Sequence, residues 1–412
     1  MLDFVERIKQ LEINVGGGAG GDLRRESQFR FTYADEAADP VSLIMPLQDR
    51  EFSDNALFAV MDMNLPEGFL LAQIRERSPK NPPTEMHLLT LMGANGIGRL
   101  AYRRPDADTP PPLSGLDRSQ LLRDGAGRDG ATFAALVDAY LATGSGLSGV
   151  QPKIVVPERA SFPIPNLIVK TNGGDYVGLV ANEYLCLQVA QRAGLPVPQH
   201  ALSNDGALLV IDRFDLRTNG ERLGFEDIAA LADLRVGGAL SDRKYRGSYE
   251  DVGSLIDDFA TDKLAARAQF FEYLALSLLL RNGDGHLKNF GVLYDRNVAW
   301  LAPVYDVVTT TIYPYERSNG VRVTDRTMAL KLRVGDSKRN YPLREALLEF
   351  GQEVCFVKNS TEVVDRIRVA MGEVLSTHLH DERMPADMLV PLTEEWQSSI
   401  KWYDAKTSAP QG

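Results

Sequence analysis

RNGDGHLKNFGVLYDRNVAWLAPVYDVVTT, residues 281–310, is the stretch of this chain that says most about its fold. Asp284 is followed by Asn289 five residues later, and Asp306 comes seventeen residues after that. The apolar runs FGVLY and WLAPVY lie between Asn289 and Asp306 and predict a short hairpin. A loop followed by a hairpin would bring two carboxylates and one amide to the same place.

These three side chains are of the types that phosphoryl transfer from ATP requires. A carboxylate such as Asp284 can accept the proton of the acceptor hydroxyl, and the oxygens of Asn289 and Asp306 can hold Mg²⁺. The order Asp, four residues, Asn and then a later Asp is that of the catalytic and metal-binding loops of protein kinases. The alternative is structural, because NGDG is an ordinary turn sequence and YD often ends a strand.

Upstream residues supply further parts of an ATP site. Lys170 ends the apolar run NLIVK, and Glu183 follows thirteen residues later in a stretch with helical periodicity. A strand lysine of this kind binds the ATP phosphates, and a helix glutamate orients it. The alternatives are a solvated lysine at a strand end and a glutamate that interacts with the helix dipole. Asn182 is the predicted N-cap of this helix.

Two other segments complete the expected site. The loop SGLSGVQPK, residues 145–153, suits phosphate binding through its N–H groups and lysine, or serves as a flexible connector. Its candidate residues are Ser148, Gly149, Val150, Gln151 and Lys153. The stretch LLVIDRFD, residues 208–215, predicts the adenine-binding hinge, with Asp212 and Phe214 as candidates or simply a solvated strand end.

His286 and Lys288 lie between Asp284 and Asn289. His286 is expected to hold the loop by a hydrogen bond, and Lys288 either meets the transferred phosphate or faces solvent. Each part of an ATP site thus occurs once and in chain order, and this agreement between segments favours the enzyme interpretation. The expected cofactors are ATP and Mg²⁺.

Composition argues against several other classes. The chain has 412 residues, with 45 Lys and Arg against 56 Asp and Glu, so its formal net charge of −11 does not favour nucleic-acid binding through bulk charge. Two cysteines, no signal-peptide pattern and no apolar run near the roughly 20 residues of a membrane span predict a cytoplasmic protein that makes no membrane contact. The glycines of GGGAGG, residues 16–21, match a dinucleotide motif only literally, since no apolar helix follows, and a flexible loop is expected there.

The order of elements predicts an α+β fold with two lobes. Strand-like runs dominate up to about residue 225, and helical periodicity dominates after it. The stretch RRPDADTPPPLSG, residues 103–115, is the predicted linker. The expected domains are 1–104, 105–225 and 226–412. Residues 264–282 are apolar nearly all round and predict a helix at the centre of a core.

Several segments together resemble a known family. SGVQPK, NLIVK, ANEYLCLQVAQRAGLPVP, VIDRFD, NGDGHLKNFGVL and PVYDV are similar to the signature segments of the HipA-like serine/threonine kinases, the toxins of bacterial HipBA-type toxin–antitoxin modules. The resemblance extends over about residues 25–380, and residues 1–24 have no counterpart in it. It implies a two-lobed protein-kinase-like fold with a strand-rich N-lobe, an extra N-terminal α/β subdomain and a mainly helical C-lobe.

The resemblance also implies roles and partners. By position, Asp284 matches the catalytic base, and Asn289 and Asp306 match the metal ligands. Lys170 and Glu183 match the pair at the ATP phosphates. The family relation further implies self-phosphorylation, a protein substrate such as an aminoacyl-tRNA synthetase, and a small HipB-type antitoxin through which alone DNA is contacted.

One position departs from the family pattern. Many members carry a regulatory serine three residues before the loop glycine, and that position is Gly146 here. Ser148 is therefore the candidate for self-phosphorylation, and Ser145 is the second choice. A phosphate on Ser148 would repel the ATP phosphates, whereas the structural alternative for this serine is a turn hydrogen bond.

Two other functions stay open at the level of sequence. A kinase for a small molecule or a lipid head group uses the same Asp, Asn and Asp order. A catalytically weak protein that acts as a partner or corepressor in a repressor complex would keep the fold without the reaction. Phosphate transfer to protein would indicate the protein kinase, and transfer to metabolites would indicate the small-molecule kinase. The absence of both would indicate the partner or corepressor protein.

Overall fold

The computed structural model describes residues 7–78, 80–94, 96–107, 116–126, 153–158, 165–173, 176–316 and 320–404. The phosphate-loop candidates Ser148, Gly149, Val150 and Gln151, and the alternative Ser145, lie outside the described residues, so their roles stay predictions. The chain forms two compact units. The first comprises Met1–Thr171, Ser203–Lys244 and Leu293–Val298, and the second comprises Asn172–Leu202, Tyr245–Val292 and Ala299–Gly412.

The secondary structure of the described residues follows in chain order. The strands are β1 (Gln10–Val15), β2 (Gly18–Arg25), β3 (Phe29–Tyr33), β4 (Glu51–Asp54), β5 (Leu100–Arg103), β6 (Lys153–Val156), β7 (Leu167–Thr171), β8 (His200–Leu202), β9 (Leu208–Asp212), β10 (Gly224–Asp227), β11 (Gly291–Asp295), β12 (Val298–Leu301), β13 (Tyr315–Glu316) and β14 (Arg322–Val323). The α-helices are α1 (Ala59–Asp62), α2 (Gly68–Glu76), α3 (Glu85–Met92), α4 (Arg118–Asp124), α5 (Leu179–Arg192), α6 (Ile228–Leu231), α7 (Tyr249–Phe259), α8 (Lys263–Leu279), α9 (Arg344–Glu353), α10 (Ser360–His378) and α11 (Ala386–Trp402). None of these helices is long and apolar enough to cross a membrane.

An antiparallel five-stranded sheet with the order β4-β3-β2-β1-β5 forms the N-terminal part of the first unit. Every second residue of β1 and of β3 is buried, as the alternation of apolar residues predicts. Gly16 and Gly17 adopt positive φ angles of 58° and 89° between β1 and β2. Such angles suit a two-residue hairpin turn, so GGGAGG lies in a tight hairpin and not in the flexible loop expected from the sequence.

A second antiparallel sheet in the first unit carries two of the candidate lysines. Its strand β7 lies between β6 and β9, and its first four residues are buried. Helix α4 packs near β9, and the Asp117 carboxylate caps its N-terminus by accepting a hydrogen bond from Gln120 N (3.0 Å). The apolar runs at 153–156 and 167–170 therefore form adjacent strands of one sheet.

The second unit is mainly helical and has α8 at its centre. Helix α8 packs against α7, α9, α10 and α11, and most of its residues are buried. The prediction of a central helix from residues 264–282 is confirmed, with the helix ending at Leu279. The end of α8 delivers the chain directly to Asp284. The proposed domain boundaries 1–104, 105–225 and 226–412 stay a prediction.

Candidate active site

The loop after α8 holds Asp284 in a defined conformation. Arg281, just beyond the helix, has a positive φ of 58°, which turns the chain sharply. Asp284 N donates a hydrogen bond to Asn282 Oδ1 (3.1 Å), and His286 N donates to the Asp284 carbonyl (2.7 Å). The Asp284 side chain stays 49% exposed. Hydrogen bonds within the loop thus fix the backbone of Asp284, while its carboxylate faces solvent.

Asn289 and Asp306 lie side by side, as the hairpin prediction requires. Asn289 Nδ2 donates a hydrogen bond to the Asp306 carbonyl (3.3 Å), while its Oδ1 accepts one from His286 N (3.0 Å). The Tyr305 hydroxyl donates to the Lys288 carbonyl (2.9 Å) and forms a second link between the same segments. Strands β11 and β12 separate them in sequence and form the predicted hairpin. Asp306 has a positive φ of 50°, an uncommon backbone conformation outside glycine and a frequent mark of functional sites.

This donor set fits a hard divalent cation. Asn289 and Asp306 offer amide and carboxylate oxygens, the ligands that Mg²⁺ prefers. In the described part of the chain no group of three or more His, Cys, Asp and Glu could hold a metal ion by itself. Mg²⁺ sites of nucleotide enzymes need no such group, because phosphate oxygens and water supply the remaining ligands. Asn289 and Asp306 would hold the ion, and the ion would neutralise charge on the phosphates.

Helix α5 places Glu183 in the interior of the second unit. Glu183 is fully buried and lies beyond the first turn of the helix, so the alternative of a first-turn glutamate at the helix dipole does not hold. The prediction of Asn182 as N-cap is wrong, because the helix begins at Leu179 after Gly178, and Asn172 Oδ1 accepts the hydrogen bond of Val180 N (3.1 Å). The left-handed Gly178 (φ 65°) starts the helix one turn earlier than expected.

Asn182 instead links α5 to the segment that follows Asp306. Its Nδ2 donates to the Thr309 carbonyl (3.0 Å), and its Oδ1 accepts from Thr309 N (2.9 Å). Trp396 Nε1 of α11 donates to Thr309 Oγ1 (2.7 Å). Asn182, Thr309 and Trp396 are all fully buried. The helix that carries Glu183 and the segment that carries Asp306 are therefore fixed to each other.

We expect Asn182→Leu to lower the free energy of unfolding by about 2–4 kcal/mol, because two buried backbone groups of Thr309 lose their partner. Urea unfolding followed by tryptophan fluorescence measures this change, since Trp396 contacts Thr309 directly. Gln191→Leu, on the exposed side of the same helix, is the matched control and should stay within about 0.5 kcal/mol of the original chain. Equal stability of both variants would contradict the importance of this link.

The charges of Glu183 and Asp306 act on the same buried phenol. Burial raises the pKa of Tyr273 well above its ordinary value, and the negative charges of Asp306 and Glu183 raise it further. Its hydroxyl donates a hydrogen bond to the Tyr305 carbonyl, next to Asp306. The carboxylates of Glu183 and Asp306 thus both interact electrostatically with Tyr273 in the second unit.

The first unit brings Lys153 and Lys170 together. They are direct partners in the register of β6 and β7, and both side chains are buried. Lys170 lies on a strand with neighbours on both sides, so the alternative of a solvated edge lysine does not hold. Two adjacent buried cations suit a polyanion such as a triphosphate.

The hinge candidates lie at the other end of the same strands. Asp212 is opposite Leu167 at the end of β9, and its carboxylate accepts a hydrogen bond from Arg118, which also lies 3.1 Å from Glu158. Burial raises the pKa of Asp212, while Arg118 opposes this shift. The half-buried Phe214 packs edge-on against Phe225, with ring centroids 5.4 Å apart.

The predicted residues thus fall into two groups. The second unit contains Glu183, Asp284, His286, Lys288, Asn289 and Asp306. The first unit contains Lys153, Lys170, Asp212 and Phe214. In the second unit, hydrogen bonds link Asn289 to His286 and to Asp306. In the first unit, Lys153 and Lys170 are register partners, and Asp212 lies at the other end of the same sheet strands.

Three contributors escaped the sequence analysis. Thr309 lies in a run of three threonines, and nothing in the sequence distinguishes it from its neighbours. The Tyr245 hydroxyl donates to Asp284 Oδ1 (2.6 Å), and Tyr249 donates to the Gly285 carbonyl (3.0 Å). Both tyrosines lie in KYRGSYED, a segment without a recognisable motif. Only an alignment of relatives could have identified them.

Fold and donor set together define a protein of the protein-kinase-like α+β class. The HipA N-terminal domain matches residues 11–103, and the HipA-like C-terminal domain matches residues 145–376. The second match alone spans more than half of the chain. The chain therefore belongs to the HipA-like family.

Individual relatives agree with this assignment. Y4dM of Sinorhizobium fredii, named as a candidate kinase, is 27% identical over 331 residues, which cover 74% of each chain. A candidate kinase of Haemophilus influenzae is 27% identical over 186 residues, 42% of this chain and 54% of its own. HipA of Shewanella oneidensis MR-1, solved with HipB and operator DNA, superposes with a TM-score of 0.68 at 18% identity and covers 95% of this chain and 96% of that one. This likeness confirms the predicted fold class.

The comparison corrects one prediction about the N-terminus. Residues 1–24 were expected to have no counterpart in the family, yet the N-terminal family match begins at residue 11. Strands β1 and β2 explain the correction, since they lie inside the five-stranded sheet. Short strands of this kind carry little sequence signal of their own.

Proposed function

We propose that this chain is an Mg²⁺-dependent kinase that transfers the γ-phosphoryl group of ATP to serine or threonine side chains of proteins. Asp284 would orient and deprotonate the acceptor hydroxyl. Asn289 and Asp306 would hold Mg²⁺, which would supply positive charge next to the phosphates. Lys153 and Lys170 would bind phosphate oxygens.

The observation that carries the proposal is the link between Asn289 and Asp306. The amide of Asn289 donates to the backbone of Asp306 at 3.3 Å, although seventeen residues separate them. This bond closes the hairpin of β11 and β12, and it places the Asn289 side chain next to the backbone of Asp306. Oxygen ligands for a cation, next to a half-exposed carboxylate on the same loop, are what phosphoryl transfer needs.

The biological role in this proposal is that of a toxin in a toxin–antitoxin module. The Shewanella HipA chain, which shares the fold of this chain over 96% of its own length, was solved with HipB and operator DNA. A small DNA-binding protein of HipB type is accordingly the proposed partner, and DNA would be reached only through it. A translation component such as an aminoacyl-tRNA synthetase is the proposed substrate, alongside the chain itself.

The test uses the full chain with Mg²⁺ and γ-labelled ATP. We expect label on serine or threonine of protein, loss of this label on chelation of Mg²⁺, and at least a hundredfold slower transfer by Asp306→Asn, because one charged ligand of the cation is removed. Asp258→Asn, an exposed aspartate in α7, is the matched control and should keep its activity.

Three outcomes would overturn the proposal. Equal labelling by the original chain and by Asp306→Asn would show that Asp306 is not needed as a cation ligand. Transfer to a metabolite extract but not to protein would indicate a small-molecule kinase. An absence of transfer to both would favour a protein that works only as a partner in a repressor complex.

A further inference from the structure

We propose that Tyr245 is a positioning residue for the catalytic base, an inference that rests on the proposed kinase function. Its hydroxyl donates a hydrogen bond to Asp284 Oδ1 at 2.6 Å. A hydrogen bond from a phenol to a carboxylate is strong and short, and it fixes the rotation of the carboxylate. Tyr245 thus holds one oxygen of Asp284, and in this proposal the other oxygen accepts from the acceptor hydroxyl.

The phenol ring of Tyr245 is itself held in place beside the catalytic loop. It packs edge-on against the His286 ring, with centroids 5.2 Å apart and planes at 76°. His286 Nε2 lies 3.8 Å from the same Asp284 oxygen, and the His286 side chain is buried. Tyr245, His286 and Asp284 therefore form one compact group, and a movement of the tyrosine would break an aromatic contact as well as a hydrogen bond.

The backbone around Tyr245 is fixed by a helix start four residues later. Ser248 and Asp251 form a capping box, with Asp251 N donating to Ser248 Oγ (3.1 Å) and Ser248 N donating to Asp251 Oδ2 (2.8 Å). Tyr249 N donates to the Lys331 carbonyl (2.9 Å), and the fully buried Tyr249 ring bears the hydroxyl that binds the Gly285 carbonyl (3.0 Å).

Tyrosines 245 and 249 therefore support the catalytic loop at two neighbouring points. One binds the side chain of Asp284, and the other binds the backbone of Gly285. An alternative is that the Tyr245 hydroxyl imitates an acceptor and blocks the site until a substrate displaces it. The rigid attachment of this segment favours a permanent support over a movable plug.

Positioning matters in this reaction because the transition state is largely dissociative. Little proton transfer has occurred when the phosphoryl group moves, so the aspartate acts chiefly by orienting the acceptor oxygen. Small errors in orientation are costly in such reactions. The tyrosine supplies orientation without touching the substrate.

The test is Tyr245→Phe in the full chain, which removes one oxygen and keeps the ring against His286. We expect kcat for protein phosphorylation to fall about tenfold, from the loss of a hydrogen bond to a charged group, with KM for ATP and the melting temperature unchanged.

Tyr33→Phe is the matched control, because its hydroxyl donates to the Met45 carbonyl in the N-terminal sheet, far along the chain from Asp284. It should change the melting temperature and leave kcat as it was. If the original chain transfers phosphate and Tyr245→Phe transfers it equally fast or faster, the positioning role is refuted, and a faster variant identifies a plug. If the original chain transfers no phosphate, the proposed function fails, and the role of Tyr245 fails with it.

Discussion

Asp284→Asn is expected to slow phosphoryl transfer to protein about a thousandfold, within the range of about 10²–10⁴ that a positioned general base contributes. The amide cannot accept the proton of the acceptor hydroxyl, and its NH₂ group would repel that proton. The substitution is isosteric, and the loop backbone that holds this residue is unaffected because its bonds involve Asp284 N and O. Initial rates at saturating Mg–ATP measure the effect.

Nucleotide binding separates this effect from a general loss of the site. Asp284→Asn should bind Mg–ATP as tightly as the original chain, since Asp284 is not among the proposed cation ligands. Asp306→Asn should lose the Mg²⁺-dependent part of that binding. A rate for Asp284→Asn within threefold of the original chain would show that this carboxylate is not the base.

Asp215→Ala is expected to destabilise the first unit by about 3–5 kcal/mol, the usual result of removing one partner from a buried ion pair. Arg213 binds Asp215 through two hydrogen bonds of 3.0 and 2.6 Å, and the two side chains are 1% and 0% exposed. Gly98 N also donates to Asp215 Oδ2 (2.7 Å), and Arg213 donates to the Gly96 carbonyl (2.8 Å). The alanine variant leaves a cation and a backbone N–H buried without this carboxylate.

Thermal unfolding and hydrogen exchange of the amides in residues 208–216 measure this loss. Asp295→Ala is the matched control, because Asp295 pairs with Arg217 on the surface, where the side chains are 37% and 45% exposed. Exposed pairs contribute about 0–1 kcal/mol. Equal losses for Asp215→Ala and Asp295→Ala would mean that burial of the Arg213–Asp215 pair is not what stabilises this segment.

The local part of the candidate site could be predicted from the sequence. Asp284, Asn289 and Asp306 fall within one short stretch, and the apolar runs between them predict a short hairpin. The position of Lys170 in an apolar run likewise indicated a strand. Its burial required knowledge that β7 has neighbours on both sides, which the run itself does not contain.

Contacts between distant segments could not be predicted from one sequence. Arg118 and Asp212 are 94 positions apart, and Asn182 and Thr309 are 127 apart. Polar pairs at such separations depend on how the elements pack, and propensity or periodicity carries no information about that. Asn182 illustrates the error, since a residue with a strong N-cap preference is used here inside the helix as a buried link.

The bonds from Asn289 to Asp306 and from Tyr305 to Lys288 close the hairpin at its base. We therefore expect Asp284, Asn289 and Asp306 to move together as one rigid segment. Their mutual distances would then be preserved when the segment shifts. The outer turn at Arg296 and Asn297 lies beyond this closure. Evolution is accordingly free to vary the tip in length and composition, and related chains should diverge there first.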